Sequence, residues 1–197
     1  MLFAVIAGKG GVGKTTVAVH LAAALARTRS RPRVVLLDGD AHGSATRWHQ
    51  RGDGRLPFEV RPIGSSVSDA EHVVMDTAAN EATADLLDLA RAADHVLIPS
   101  PPAPLDLVVT LDTLADLTPV ARPLVLLTRC PPAPQADALE ARDLLERRHA
   151  HVLTTEIPAR KLYQVAALEG VTVRDVRDRA AEALWGAWPR LLREVIA

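Results

Sequence analysis

The stretch Gly8-Lys9-Gly10-Gly11-Val12-Gly13-Lys14-Thr15-Thr16 constrains this 197-residue chain more than any other. It satisfies the pattern G-x-x-x-x-G-K-[ST], in which glycines let successive backbone N–H groups converge on a polyphosphate. The lysine of the pattern reaches the β- and γ-phosphates, and the hydroxyl of the Ser or Thr after it ligates Mg²⁺. Gly8, Gly10, Gly11, Val12, Gly13, Lys14, Thr15 and Thr16 are therefore expected to hold phosphates. The flanks argue against an ordinary glycine turn. Residues 2–7 are a continuous apolar run of buried-strand type, and residues 16–25 read as a helix whose positive N-terminal end would face the anion.

A chain of this length is the size of one α/β domain burying about 70% of its unfolded surface, so a single domain spanning 1–197 is expected. The formal net charge of -1 gives no global attraction to nucleic acid or to an anionic membrane, and either would need a local patch. The charge is uneven. Residues 1–62 carry ten Lys/Arg against four Asp/Glu, residues 63–141 three against twelve, and residues 142–197 ten against eight. The two ends are where an anionic polymer could dock. The single cysteine, Cys130, excludes a disulfide within the chain and a cysteine-rich metal or iron–sulfur site, and a reducing cytoplasm is the expected compartment. The first apolar run is too short for a signal peptide or a membrane span.

Residues 34–37 form a second apolar strand ending at Asp38-Gly39-Asp40, and residues 72–75 a later one ending at Asp76. Carboxylates at the carboxyl ends of parallel strands, beside a phosphate loop, stand where open α/β sheets place their ligand chemistry. Further strands are expected at 58–62, near an edge because of Pro62, and at 95–99, 123–129 and 152–155. Helices are expected to begin near Ser44 and to cover 80–92, 105–117 and 137–149, the last with Leu139, Leu144 and Leu145 inward. The alternation implies a doubly wound α/β fold with a mostly parallel sheet. Prolines between 99 and 104 make a rigid loop and start the helix that follows. Trp48 is expected to be a packing residue.

Lys9 occupies a variable place in the opening pattern, where one nucleotide in one subunit needs no second cation. The string Lys9-Gly10-Gly11-Val12-Gly13-Lys14-Thr15 resembles the deviant Walker A motif of the ParA/MinD family of P-loop ATPases. Asp38-Gly39-Asp40-Ala41-His42-Gly43-Ser44-Ala45-Thr46 is similar to that family's D-x-D-P-Q-G-S/N-A-T, with Ala41 and His42 in place of Pro and Gln. Residues 72–76 resemble a Walker B strand, residues 93–107 the segment A-D-x-V-L-I-P-x-x-P-S-x-x-D-L, and Ile157-Pro158-Ala159-Arg160 the I-P-x-R/N step. The resemblance runs from Leu2 to about Val173. It implies a Mg²⁺-dependent ATPase, converting ATP to ADP and phosphate, that dimerises around its nucleotides. By that resemblance Lys9 reaches the partner's phosphates and Lys14 its own, Asp40 orients the attacking water, and Asp38 lies nearer the metal and phosphates. Asp76 holds a Mg²⁺-bound water behind Thr15, Pro158 packs against the base, and Asp106 sits near the dimer face. Many relatives place Asn near Thr128; here Thr128 and Arg129 offer a hydroxyl and a flat guanidinium, which leaves adenine against guanine open.

In the ParA branch, scattered C-terminal basic residues bind DNA phosphates without sequence preference. The candidates here are Arg160, Lys161, Arg174, Arg177 and Arg179; the alternative is a solvated face balanced by Glu169, Asp175, Asp178 and Glu182. No helix-turn-helix segment precedes the phosphate loop, so a sequence-specific repressor is not expected. The implied function is nucleoid-associated partition or positioning of a plasmid, a chromosome or a protein cluster, with hydrolysis stimulated by a small ParB-like adaptor. A MinD-like, membrane-associated regulator is the second reading. Residues 183–196 carry two tryptophans and two arginines, as an interfacial helix does, but Gly186 and Pro189 interrupt them. Leu191, Leu192, Val195 and Ile196 instead have the spacing of a final helix packed on the sheet. Amide-forming synthetases and iron–sulfur carriers have similar loops, and the carriers need cysteines this chain lacks.

Overall fold

Apolar runs without alternation become interior strands when helices cover both faces of a sheet, and this chain folds that way. The computed structural model describes residues 1–79, 83–132 and 136–197. Its strands are β1 (Leu2–Val5), β2 (Val34–Asp38), β3 (Glu59–Pro62), β4 (His72–Asp76), β5 (His95–Ser100), β6 (Pro123–Leu127) and β7 (His151–Val152). They pair in the order β3-β2-β4-β1-β5-β6-β7, and every pairing is parallel. The helices are α1 (Lys14–Ala26), α2 (Ser44–Gly52), α3 (Thr83–Ala92), α4 (Pro104–Leu117), α5 (Ala136–Arg147), α6 (Lys161–Glu169), α7 (Ala181–Trp185) and α8 (Ala187–Val195), with a 3-10 turn at Val173–Asp175.

β1 shows how the two cores are built. Phe3 and Val5 point into one apolar cluster with α1, α2, α6 and α8, while Ala4 and Ile6 point into the other with α4 and α5. α1 lies deepest, with ten of its thirteen residues buried, so its surface is apolar nearly all round. α8 closes the first cluster with Trp188, Leu191, Leu192 and Val195 buried.

Several expectations are corrected. Leu139 faces solvent at 62% exposure, and α5 buries Ala138, Ala141 and Leu145 instead. Ile196 lies past the end of α8 and is 47% exposed. The last strand is only two residues long because the N–H groups of Thr154 and Thr155 leave the ladder to donate to the Glu194 carboxylate on α8. The strand expected to run to residue 129 stops at Leu127. The helix expected from residue 80 is α3, whose first expected residues, 80–82, lie outside the described residues.

The strand order sets the site. β4 lies between β2 and β1, with Asp38 opposite Asp76 and Val5 opposite Asp76. Two carboxylate-bearing strand ends thus stand beside the loop that leaves β1.

Candidate active site

Gly11 and Gly13 adopt φ of +80° and +103°, the left-handed region that a side chain would strain. Gly13 is the N-cap of α1 and offers no side chain to its first amides, so those N–H groups open into the cleft. Lys14 is 8% exposed, and its ammonium donates to the Lys9 carbonyl at 3.1 Å, which draws it across its own loop. The Thr128 hydroxyl, at the end of β6, donates to the Val12 carbonyl at 2.8 Å and ties the loop to the sheet. A cavity of about 270 Å³ is lined by Gly10, Gly11, Gly13, Lys14, Thr15, Thr16, Asp40 and Arg129.

The three carboxylates have different surroundings. Asp76 is 1% exposed, and neither of its oxygens has a hydrogen-bond partner. Burial pushes its pKa up to about 7; the Thr15 hydroxyl and Lys14 pull it down, and Asp38 and Asp40 add to the rise. An orphaned, buried carboxylate beside a threonine hydroxyl offers the hard oxygen donors that suit Mg²⁺, and the residues present fit that ion. Asp40 is held below the usual carboxylate range, chiefly by the His42 N–H at 2.9 Å, with the Ser44 hydroxyl at 2.9 Å adding to the effect. Asp38, expected nearer the metal and phosphates, is turned toward α2. It accepts the Thr46 N–H and hydroxyl, both at 2.7 Å, and the Asp40 N–H at 3.2 Å. Its carboxylate fixes the turn that presents Asp40.

The cleft continues into a cavity of about 630 Å³ between the phosphate loop and α6, lined by Gly13, Thr16, Thr128, Arg129, Pro158 and residues of α6. Pro158 is held over it by a parallel bridge to Cys130. Arg129 has φ of +51° and lines both this cavity and the phosphate cavity. Arg160 and Lys161 line this larger cavity, the expected base side of the cleft, as well. Arg174, Arg177 and Arg179 are exposed elsewhere, Arg174 lying 6.0 Å over the Trp185 ring. The structure thus divides the five basic candidates into two groups.

Lys9 and Lys14 face different ways. The Lys9 ammonium, on a 44% exposed side chain, is paired at 2.5 Å with Asp106 in the first turn of α4. Ser44 and Thr46 are site residues that sequence reasoning missed. Their signal was present in the run after Asp40, where hydroxyls at a helix start serve neighbouring carboxylates.

A family model described as the CobQ/CobB/MinD/ParA nucleotide binding domain matches residues 3–173. The chain is 39% identical, over 98% of its length and 92% of the relative's, to the maintenance of carboxysome distribution protein A of Gloeobacter kilaueensis. Its fold is similar to an ATP complex of Cyanothece McdA, with a TM-score of 0.71, 14% identity and coverage of 99% of this chain and 95% of that one. A putative plasmid partition protein of Borrelia burgdorferi bound to AMPPNP has a TM-score of 0.71 at 15% identity, covering 98% and 99%. With the phosphate loop, the strand-end carboxylates and the base-side cavity in this arrangement, the chain belongs to the CobQ/CobB/MinD/ParA nucleotide-binding family, on its ParA/MinD side.

Proposed function

We propose that this protein is a ParA-type ATPase that forms a dimer on ATP, holds nonspecific DNA in that state, and positions a large protein assembly of the carboxysome kind. The observation that carries the dimer is the divergence of the two lysines of one loop: Lys14 is buried within the loop, its ammonium on the Lys9 carbonyl, while the Lys9 side chain is 44% exposed and paired with Asp106. The cargo follows from the name of the 39% identical relative, which favours a protein body over a plasmid.

The loop amides and Lys14 hold the β- and γ-phosphates. Thr15, with Asp76 behind it, would hold Mg²⁺, which neutralises phosphate charge when bound. Asp40, kept ionised by the His42 N–H and Ser44, orients the attacking water at the γ-phosphate. Lys9 leaves Asp106 and meets the partner's phosphates, where its charge counts most as negative charge develops. Thr128, Arg129 and Pro158 receive the base and ribose. Hydrolysis releases the dimer, and an adaptor of ParB-like role speeds that step.

The membrane-associated reading finds less support, because the apolar residues that an interfacial helix would offer to lipid, Trp188, Leu191, Leu192 and Val195 of α8, are buried against the core. Gel shifts of Asp40→Ala with ATP against ADP, run beside flotation on anionic vesicles, test the track. ATP-dependent retention of duplex DNA is expected; ATP-dependent vesicle binding without DNA binding would overturn the proposal.

A further inference from the structure

Trp48, Arg51 and Arg55 lie at i, i+3 and i+7 along α2 and just past its end, and each donates to a carbonyl in the last turn of α6 or just beyond it. The Trp48 indole N–H reaches Val171 O at 3.0 Å, Arg51 Nε–H reaches Ala167 O at 2.9 Å, and an Arg55 guanidinium N–H reaches Glu169 O at 2.5 Å. A helix C-terminus leaves its last carbonyls without partners inside the helix, and here another helix supplies them. Between these bonds the two backbones touch. A Cβ on Gly52 would lie 2.1 Å from the Gly170 carbonyl oxygen, and one on Gly170 would lie 2.0 Å from the Gly52 nitrogen.

The two joined helices serve opposite ends of the cleft. α6 gives Tyr163, Gln164 and Ala167 to the base-side cavity. The first turn of α2 holds Asp38 through Thr46 and Asp40 through Ser44. We infer that Arg51 and Arg55 are positioning residues: added to the Trp48 bond and the Gly52–Gly170 contact, they fix the angle between α2 and α6, so that a nucleobase settling against α6 sets the turn carrying Asp38 and Asp40. The inference rests on the cleft being a nucleotide site. Both arginines are exposed, so their removal leaves the core intact.

Hydrogen exchange read by mass spectrometry, with Mg²⁺ and ADP added or omitted, tests the coupling in the wild type and in the double variant Arg51→Ala, Arg55→Ala. The readout is the protection that ADP adds, which a merely structural role would not change. In the wild type, ADP is expected to slow exchange over 8–16, 157–167 and 40–47. In the variant the first two segments keep that protection, while the gain over 40–47 falls by about fivefold or more, the lower end of ordinary coupling between sites. Inorganic pyrophosphate, which lacks the base, is expected to change exchange over 40–47 equally in both proteins, because Asp40 lines the phosphate cavity directly; a pyrophosphate effect that the double variant loses overturns the inference. A variant that keeps the full gain over 40–47 overturns the inference. ADP that protects neither 8–16 nor 157–167 overturns the nucleotide reading itself, and the coupling with it.

Discussion

His20 shows how one side chain can tie the phosphate-loop helix to the end of the chain. It is wholly buried, stacked on Trp188 at 4.7 Å between ring centroids, with Trp48 and Tyr163 edge-on. Nδ1–H donates to the Thr16 carbonyl at 2.8 Å, and Nε2 accepts the Val173 N–H at 2.9 Å, an arrangement only the neutral ring satisfies. Burial, its largest cause, lowers the His20 pKa from 6.5 to about 4. The unfolded chain therefore takes up the proton first. The stabilisation is complete above pH 6.5 and is lost as pH falls from 6.5 toward 4, by about 3 kcal/mol in all. Urea unfolding at a series of pH values checks this: His20→Phe is expected to be less stable at neutral pH and to lose less stability on acidification, whereas parallel pH profiles would refute it. At the same scale, the Lys9–Asp106 pair is partly exposed and is worth at most about 1 kcal/mol. Asp106→Asn is expected to free both Lys9 side chains of the dimer and so tighten the ATP-dependent dimer by up to about 25-fold, as measured by sedimentation; an unchanged or weaker dimer would show that Asp106 does not restrain Lys9. Lys9 and Lys14 were legible as residues because a motif fixes their spacing. His20 was not, because a lone histidine in an apolar helix gives no sign of what packs around it.

Among the elements, Gly170 in the α2–α6 contact and Gly54 in the loop after α2 separate two different demands on a glycine. Gly170 has φ of +69° and no room for a Cβ, whereas Gly54 has φ of +76° with nothing within 4 Å of one. Gly54→Ala is expected to cost about 1–2 kcal/mol, the left-handed penalty alone, and Gly170→Ala about 2–4 kcal/mol because overpacking adds to it. Denaturant midpoints decide; equal losses would mean that the helices separate freely. The strands were legible because a buried parallel strand is a continuous apolar run, and Pro62 marked β3 as an edge strand, where it is found. β7 was overestimated because Glu194, distant in sequence, captures the Thr154 and Thr155 amides. α5 was misread at Leu139 because its core face is built from alanines that fit close to the sheet, which a count of leucines overlooks. Asp38 was placed by motif, but its direction depends on where Thr46 lies in the folded chain.

For the molecule as a whole, the near-neutral chain binds DNA only through local patches on the proposed reading. Affinity of the ATP form for duplex DNA is expected to fall with salt by about 0.9 log units per log unit of salt for each phosphate contacted. Charge removal at Arg174, Arg177 and Arg179 should lower that slope while leaving ATP binding intact; Arg160→Ala, on the rim of the base-side cavity, should weaken nucleotide binding as well. A salt slope unchanged in the triple variant, read from titrations across salt, would move the DNA contact elsewhere. The central claim is that ATP joins two copies of this chain through Lys9. Light scattering of Asp40→Ala with saturating ATP and Mg²⁺, alone and combined with Lys9→Ala, tests it most directly: a dimer that the second substitution returns to monomer is predicted, and a monomeric Asp40→Ala protein would contradict it.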